Sequence, residues 1–279
     1  MGFLSNLFSS KKNDTEKKSV QSTKKTTASK KINSEHVANR KGEVGEYKIN
    51  IQLDQLPKNY KHIKDVMVTN TKGKTGYSQI DHIMISPYGI FVIETKNYQG
   101  TVYGGKDRKV WSVNGKFKMM NPFKQNYGHI QALKAFVDEK YHPFFISMVS
   151  FTKRCTFKLN DTELRKIASN ELLVYDVELS DYIARKVSIN KHQYKEPFLT
   201  DSEILQVYAQ IEQANITDPT IRKQHVDSLK KENKESKEEG AKCKICHKPV
   251  SAKVKAYCLS NQKFKGQIYC FDHQKAFDK

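Results

Sequence analysis

The sequence predicts a mixed α/β domain, preceded by a basic tail and followed by a small metal-binding module. Apolar runs of strand and helix length alternate between residues 42 and 222. Four of the five cysteines lie within residues 243–279, and residues 9–41 consist mainly of Lys, Ser, Thr and Asn. A chain of 279 residues is long enough for one medium-sized domain and one small one.

These composition changes divide the chain into four predicted regions. They are a disordered basic tail at 1–41, a globular domain at 42–222 with its core at 42–155, a charged linker or helix at 223–241, and a zinc-ribbon-like module at 242–279. The tail is predicted to be disordered because it has too few apolar side chains to offset the entropy lost on ordering.

The order of elements within the domain follows from turn and cap signals. A helix is predicted from Gly42 to about Leu56, where Pro57 ends it. Asn121 and Pro122 are typical of a helix start, and this second helix is predicted to stop before Pro143. Strands are predicted at 62–70, in a hairpin over 79–96, as short strands over 101–113, and at 144–151 and 171–177, with helices at 181–187 and 202–214.

The predicted hairpin carries three charged residues among apolar neighbours. Glu94 and Lys96 share one face of their strand because side chains alternate along a strand. With a two-residue loop, Ser86 pairs with Gly89 and Asp81 lies opposite Glu94. A bulge at Gly89 would shift that register by one residue, and the sequence is compatible with both arrangements.

Two carboxylates placed side by side in an apolar hairpin require a nearby cation. A divalent metal held by Asp81 and Glu94 meets that need, and Lys96 would then orient a water molecule or a phosphate group. This combination is typical of metal-dependent hydrolysis of phosphodiesters.

Several motifs occur in a characteristic order over roughly residues 42 to 150. They are Gly42–Glu46 (GEVGE), Gln79–His82 (QIDH), Gly89–Asn97 (GIFVIETKN) with Gly100, then Trp111, Asn121-Pro122 and Gln125-Asn126. This pattern resembles the PD-(D/E)xK nuclease superfamily and, more narrowly, the bacterial nuclease-related domain (NERD) family.

The resemblance implies a restriction-endonuclease-like mixed sheet flanked by helices, and cleavage of DNA rather than RNA. The implied catalytic residues are Asp81, Glu94, Lys96, Glu46 and Gln125, with Mg²⁺ or Mn²⁺ bound by Asp81 and Glu94. Glu43 is the alternative to Glu46. His129, one helical turn after Gln125, is expected at the surface, and Trp111 in the core.

A second metal site is predicted near the C-terminus. Two pairs of zinc-type ligands, each with the spacing of a tight turn, are Cys243 with Cys246 and Cys270 with His273. Cys258 is a fifth candidate that could replace one ligand, most readily His273, and His247 is a spare donor. A closed set of four ligands indicates a structural zinc ion, because so short a segment seldom folds without a metal or crosslink.

The charge of the chain favours a polyanionic partner. Lys and Arg number 49 against 30 Asp and Glu, giving a net charge of +19. Nucleic acid is the expected partner, with weak membrane or protein contact through residues 3–8 as a further expectation. No small-molecule cofactor is expected. No apolar run approaches the ~20 residues of a membrane span, and a cytoplasmic location is predicted.

Two functions are therefore compared. The first is a metal-dependent nuclease with a zinc-binding appendage. The second is a non-catalytic adaptor that binds nucleic acid or protein and retains the nuclease fold. The presence of Asp81, Glu94 and Lys96 together favours the enzyme, since an adaptor would be free to lose any one of them.

Overall fold

The computed structural model describes residue 40 and residues 42–159, 162–238 and 241–277. The predicted basic tail, apart from Arg40, and the predicted contact segment 3–8 lie outside the described residues. The described residues form a mixed α/β structure with two sheets flanked by helices, followed by a C-terminal Cys/His cluster. The predicted fold class is confirmed at this level.

Nine strands make up the two sheets. They are β1 (Lys61–Thr69), β2 (Tyr77–Ser86), β3 (Gly89–Lys96), β4 (Gly100–Gly104), β5 (Val110–Val113), β6 (Phe117–Met120), β7 (Phe145–Phe151), β8 (Cys155–Leu159) and β9 (Glu171–Tyr175). The larger sheet has the order β1-β2-β3-β7-β9, and the smaller has the order β6-β5-β4-β8. The small sheet was not predicted as a separate layer.

The same two stretches of chain form parallel neighbours in both sheets. β3 and β7 are parallel neighbours in the larger sheet, and their continuations β4 and β8 are parallel neighbours in the smaller one. The two crossings occur at residues 97–99 and 152–154. The backbone N–H of Thr152 donates to the carbonyl oxygen of Lys96 at 3.1 Å, and that of Gly100 donates to Arg154 at 3.2 Å. The end of β3 is thereby fixed to the neighbouring chain.

Helices cover both faces of the larger sheet. They are α1 (42–54), α2 (Pro122–Leu133), α3 (Leu179–Gln193), α4 (Asp201–Ala214) and α5 (Pro219–Glu238), with α6 (Ala252–Ser260) and α7 (Phe271–Gln274) in the C-terminal module. Side chains of α2 and α4 share one apolar cluster with β1–β3, whereas α1 and α3 share another with β3, β7 and β9. β3 is therefore covered on both sides, which explains its continuous apolar run.

The start of α2 matches its prediction, but its end does not. Asn121 caps the helix, because its side chain accepts from the N–H of Phe123 at 2.9 Å, and Pro122 follows as the first residue. The helix ends at Leu133 rather than continuing toward Pro143. Pro143 instead lies inside a short 3₁₀ helix at Glu139–Phe144. The helical spacing of Ile130, Leu133 and Val137 predicts a helix that includes Val137, which lies beyond the observed end.

Trp111 lies in the core, as predicted. It is fully buried in the small sheet, where its indole N–H donates to the carbonyl oxygen of Gly105 at 3.0 Å. A Cβ on Gly104 would lie 2.3 Å from the indole ring, so this strand needs glycine for the tryptophan to pack.

The charged segment after the domain is helical. α5 runs from Pro219 to Glu238, across the boundary proposed at 222/223. Arg222 joins it to the larger sheet by donating to Asp65 Oδ2 and to the Asp65 carbonyl oxygen, each at 2.7 Å. Among the helices of the described residues, none has both the length and the apolar character that a membrane span requires.

Candidate active site and C-terminal metal cluster

The hairpin of β2 and β3 has the two-residue loop. Ser86 pairs with Gly89, and the ladder continues without a bulge to the pair His82–Ile93. Beyond this pair, a side chain replaces the backbone as hydrogen-bond acceptor. Asp81 Oδ2 accepts from the backbone N–H of Thr95 at 2.7 Å. Asp81 is thus anchored across the hairpin, beside the strand that carries Glu94.

Glu94, Lys96 and Gln125 form a closed network at the end of β3. Glu94 is 3% exposed, and its Oε1 accepts from Lys96 Nζ at 2.5 Å and from Gln125 Nε2 at 2.8 Å. Lys96 Nζ also donates to Gln125 Oε1 at 3.0 Å. Each of the three side chains therefore contacts the other two, and α2 is held against the strand by polar as well as apolar contacts.

His129 belongs to the same group, and the expectation that it lies at the surface is wrong. It is buried, and its Nε2 lies 3.3 Å from Glu94 Oε2, without the alignment of a hydrogen bond. The cause is the position of α2, which Asn126 fixes by donating to the carbonyl oxygen of Val92 at 2.8 Å and to Ser147 Oγ at 2.9 Å. The spacing Gln125-x₃-His129 was the sequence signal for this contact.

Of the two glutamates on α1, Glu46 is the one whose charge interacts with Asp81 and Glu94. Burial raises the pKa of Glu46, and the negative charges of Asp65, Glu94 and Glu43 raise it further. Asp81 in turn responds to the charge of Glu46. Glu43 is exposed.

The site is short of positive charge. Burial raises the pKa of Asp81 well above its usual range, and the charge of Glu94 adds to this effect despite the hydrogen bond from Thr95. Burial would also raise the pKa of Glu94, but Lys96 and His129 more than compensate and lower it to about 2. The same attraction raises the pKa of Lys96 despite its burial. Lys96 contacts Glu94 directly, whereas its charge only partly offsets the rise in the pKa of Asp81.

These residues fit a divalent cation in donor type. Carboxylate oxygens are the ligands that Mg²⁺ and Mn²⁺ prefer, and Glu94 Oε2 is a buried oxygen without a hydrogen-bond partner. The carboxylates are less tightly gathered than a preformed metal cage. Among the described residues, only the C-terminal Cys/His group has three or more ligand atoms that all lie within 4.8 Å of one another.

That C-terminal group consists of Cys243, Cys246, Cys270 and His273. His273 Nδ1 lies 3.4 Å from Cys243 Sγ and 3.3 Å from Cys270 Sγ, and the sulfurs of Cys246 and Cys270 are 3.7 Å apart. Four donors around a tetrahedral zinc ion are spaced by about 3.5–3.8 Å. All four cysteines of the module are free thiols. The cluster could therefore bind zinc.

Cys258 lies outside this cluster. Its buried sulfur accepts from Gln274 Nε2 at 3.2 Å and from the N–H of Tyr269 at 3.4 Å, within the small core of the module. His247 is also outside the group. Between the two ligand pairs lie the helix α6 and a 3₁₀ turn at Gln262–Phe264, and the β structure described in this module is a single bridge, Lys242–Pro249.

The comparisons with known proteins identify the family. The model of the nuclease-related domain, NERD, matches residues 41–152. An uncharacterized protein of Bacillus anthracis is 34% identical over 198 residues, which cover 70% of this chain and 86% of the relative. The chain belongs to the NERD family. No solved structure matches it.

The NERD match covers the whole candidate site. It extends from α1 through β7 to Thr152, so it includes the five residues predicted to be catalytic as well as Asn126 and His129. The Cys/His cluster lies outside the matched residues. The family therefore supports a nuclease-related function for the domain and leaves the role of the C-terminal module to its own chemistry.

Proposed function

We propose that this chain is a metal-dependent nuclease that hydrolyses phosphodiester bonds in DNA. The observation that carries the proposal is the partly buried network of Glu94, Lys96 and Gln125, with Asp81 anchored beside it. A lysine–carboxylate pair largely removed from water costs desolvation energy and is weak support for stability, so its presence favours a chemical role.

The proposed roles follow from the charges of the side chains. Asp81 and Glu94 hold Mg²⁺ or Mn²⁺, with Glu46 as a further acid beside them. The metal, when bound, supplies positive charge for the phosphate and lowers the pKa of a water molecule. Lys96 donates to the attacking water or to the developing charge on the phosphate, and Gln125 fixes the position of the Lys96 ammonium.

The Cys243, Cys246, Cys270 and His273 cluster is proposed to hold a structural zinc ion. Its surrounding lysines make nucleic acid the proposed partner of the module. A cytoplasmic location also remains a prediction.

Cleavage by the purified chain tests this function. Wild-type protein is expected to cut DNA when Mg²⁺ or Mn²⁺ is present, and Lys96→Met to lower the rate by at least ~10²-fold, because a donor to the transition state is lost. RNA of the same sequence distinguishes the two substrates.

A matched control is available in Lys186, a buried lysine whose ammonium donates to the carbonyl oxygen of Ala168 at 2.8 Å rather than to a site residue. Lys186→Met also removes a buried amine and should retain activity in proportion to its folded fraction, measured by thermal unfolding. Equal cleavage by Lys96→Met and the wild type would refute the mechanism. Binding of nucleic acid without cleavage by any variant would establish the adaptor instead.

A further inference from the structure

A cavity of about 390 Å³ lies beside the candidate active site, between α1 and the two crossings that connect the sheets. Its lining residues are Arg40, then Val44, Gly45 and Lys48 from α1, Asn97 from one crossing, and Thr152 and Arg154 from the other. A volume of this size is typical of pockets that hold a nucleotide-sized ligand.

Two residues that line the cavity are sequence neighbours of candidate site residues. Gly45 directly precedes Glu46, and Asn97 directly follows Lys96, so the Cα atoms of each pair are about 3.8 Å apart. A Cβ on Gly45 would lie 3.4 Å from the side chain of Asn97, which shows how closely the helix approaches the end of β3. The cavity therefore lies beside the backbone that carries Glu46 and Lys96, within the reach of a nucleic-acid strand held at the candidate site.

The charge of the cavity is opposite to that of the site. Three of its lining residues, Arg40, Lys48 and Arg154, are cationic, and none is acidic. In the part of the chain that the structure describes, none of the three cations forms an ion pair with a carboxylate. The candidate site next to it holds three carboxylates against one lysine.

Two features orient these cations toward a common ligand. Val44 and Lys48 are four residues apart on α1 and therefore share one face. Arg154 is held by its own contact, because its Nη2 donates to Asn97 Oδ1 at 2.5 Å. An arginine fixed in this way still has other N–H groups to offer to a phosphate.

We propose that this cavity binds a phosphate group of the nucleic-acid substrate, with part of its nucleotide, adjacent to the bond that is cut. This inference rests on the proposed nuclease function. Each strand of a nucleic acid carries one negative charge per residue, so a substrate held at Lys96 must place further phosphates nearby. Arg154 and Lys48 neutralise one of them, and Val44 supplies an apolar surface for the sugar.

Binding measured without cleavage tests the proposal independently of catalysis. The probe is a fluorescent single-stranded DNA oligonucleotide, titrated with the full chain in buffer without Mg²⁺ or Mn²⁺. Lys48→Gln and Arg154→Gln are each expected to weaken binding about tenfold and to reduce the salt dependence by about one ion per substitution. The exposed Arg185→Gln removes the same charge from α3 and should have little effect.

The outcomes separate the cavity from the catalytic site. Equal affinities for Lys48→Gln, Arg154→Gln and Arg185→Gln would overturn the cavity proposal, as would a wild type that does not bind the oligonucleotide. Because Arg154 also contacts Asn97, its variant is first checked by thermal unfolding, and Lys48→Gln supplies the result if that variant is unfolded. Loss of binding in both variants, with no cleavage by the wild type, would refute the proposed nuclease function and support the proposed role of the cavity in binding nucleic acid.

The phosphate has two possible sources in the substrate. A terminal phosphate predicts that a 5′- or 3′-phosphorylated oligonucleotide binds more tightly than its hydroxyl counterpart, and that the difference disappears in Lys48→Gln. An interior phosphate predicts equal affinities for both, and competition by circular single-stranded DNA. Either pattern, together with the effect of Lys48→Gln, supports the cavity and assigns its ligand.

Discussion

The NERD domain and the C-terminal module both gather polar side chains around a potential metal site, but they differ in the apolar core behind those side chains. In the domain, three apolar clusters surround the sheets, and β3 is buried along most of its length before it reaches Glu94. In the module, the buried residues described are Cys243, Cys258, Phe264 and Gln274. The domain thus has a large apolar core behind its site, whereas the module has few buried residues, and we expect the module to depend on a bound cation.

The largest effect predicted from this comparison is the loss of the module on removal of zinc. Binding of zinc in small domains contributes about 10–16 kcal/mol to folding, far more than the small core of residues 241–277 can replace. Cys270→Ser is expected to lose the zinc ion and to expose the module to limited proteolysis. The thermal transition of the NERD domain should change little.

Cys258 provides the matched control. Because it lies outside the cluster, Cys258→Ser is expected to keep about one zinc per chain by metal analysis, with only the smaller cost of a changed core contact. If Cys258→Ser loses zinc and His273→Gln retains it, then Cys258 is the fourth ligand and the described cluster is wrong.

A second prediction concerns the polar anchor of the domain. Asn126→Ala removes the side chain that donates to the Val92 carbonyl oxygen and to Ser147, and both acceptors are buried. The expected loss is about 1–3 kcal/mol of unfolding free energy, which lowers the melting temperature by about 2–4 °C per kcal/mol.

The neighbouring Gln125→Ala separates anchoring from function. Gln125 is only partly buried and contacts the charged pair rather than the backbone, so its loss should affect cleavage more than stability. Thermal unfolding and cleavage assays on both variants give the comparison. A stability loss in Gln125→Ala as large as that in Asn126→Ala would show that the charged network itself supports the fold.

The parts of the molecule that sequence reasoning reached are those set by local signals. The cap at Asn121 and the spacing of the cysteine pairs are each encoded within a few residues, whereas the sequence left the hairpin register open and the structure shows the two-residue loop. The family resemblance added the order of the motifs, and the NERD match confirms it.

The parts it missed depend on distant contacts. The small sheet needs β4 to pair with β8, more than 50 residues away, and both strands are short and partly exposed. His129 is buried only because Asn126 fixes α2 against two strands. Asp65 adopts a left-handed conformation, φ 50°, opposite Asp81, and is bound by Arg222 from a helix more than 150 residues later. No pattern in the local sequence specifies these contacts between residues far apart in the chain.

The smallest predicted effect is the pH dependence of stability that arises from Asp81. It tests directly whether the folded domain is destabilised by burying this carboxylate. Because the pKa of Asp81 is raised on folding, the folded protein binds this proton more tightly than the unfolded chain. Stability contributed by protonated Asp81 is therefore lost as the pH rises from about 4, the ordinary value, through the raised pKa. Glu94, with its pKa lowered to about 2, acts in the opposite sense and loses its contribution only as the pH falls toward that value.

Asp81→Asn isolates this contribution, since the amide oxygen can still accept from the Thr95 N–H. In buffer without Mg²⁺ or Mn²⁺, the melting temperature of Asp81→Asn should match the wild type near pH 4 and exceed it by a few degrees near neutral pH. Added Mg²⁺ should raise the melting temperature of the wild type and not that of Asp81→Asn. A wild type that is the more stable of the two at neutral pH without divalent cations would mean that Asp81 is already compensated, and that its carboxylate does not need a metal.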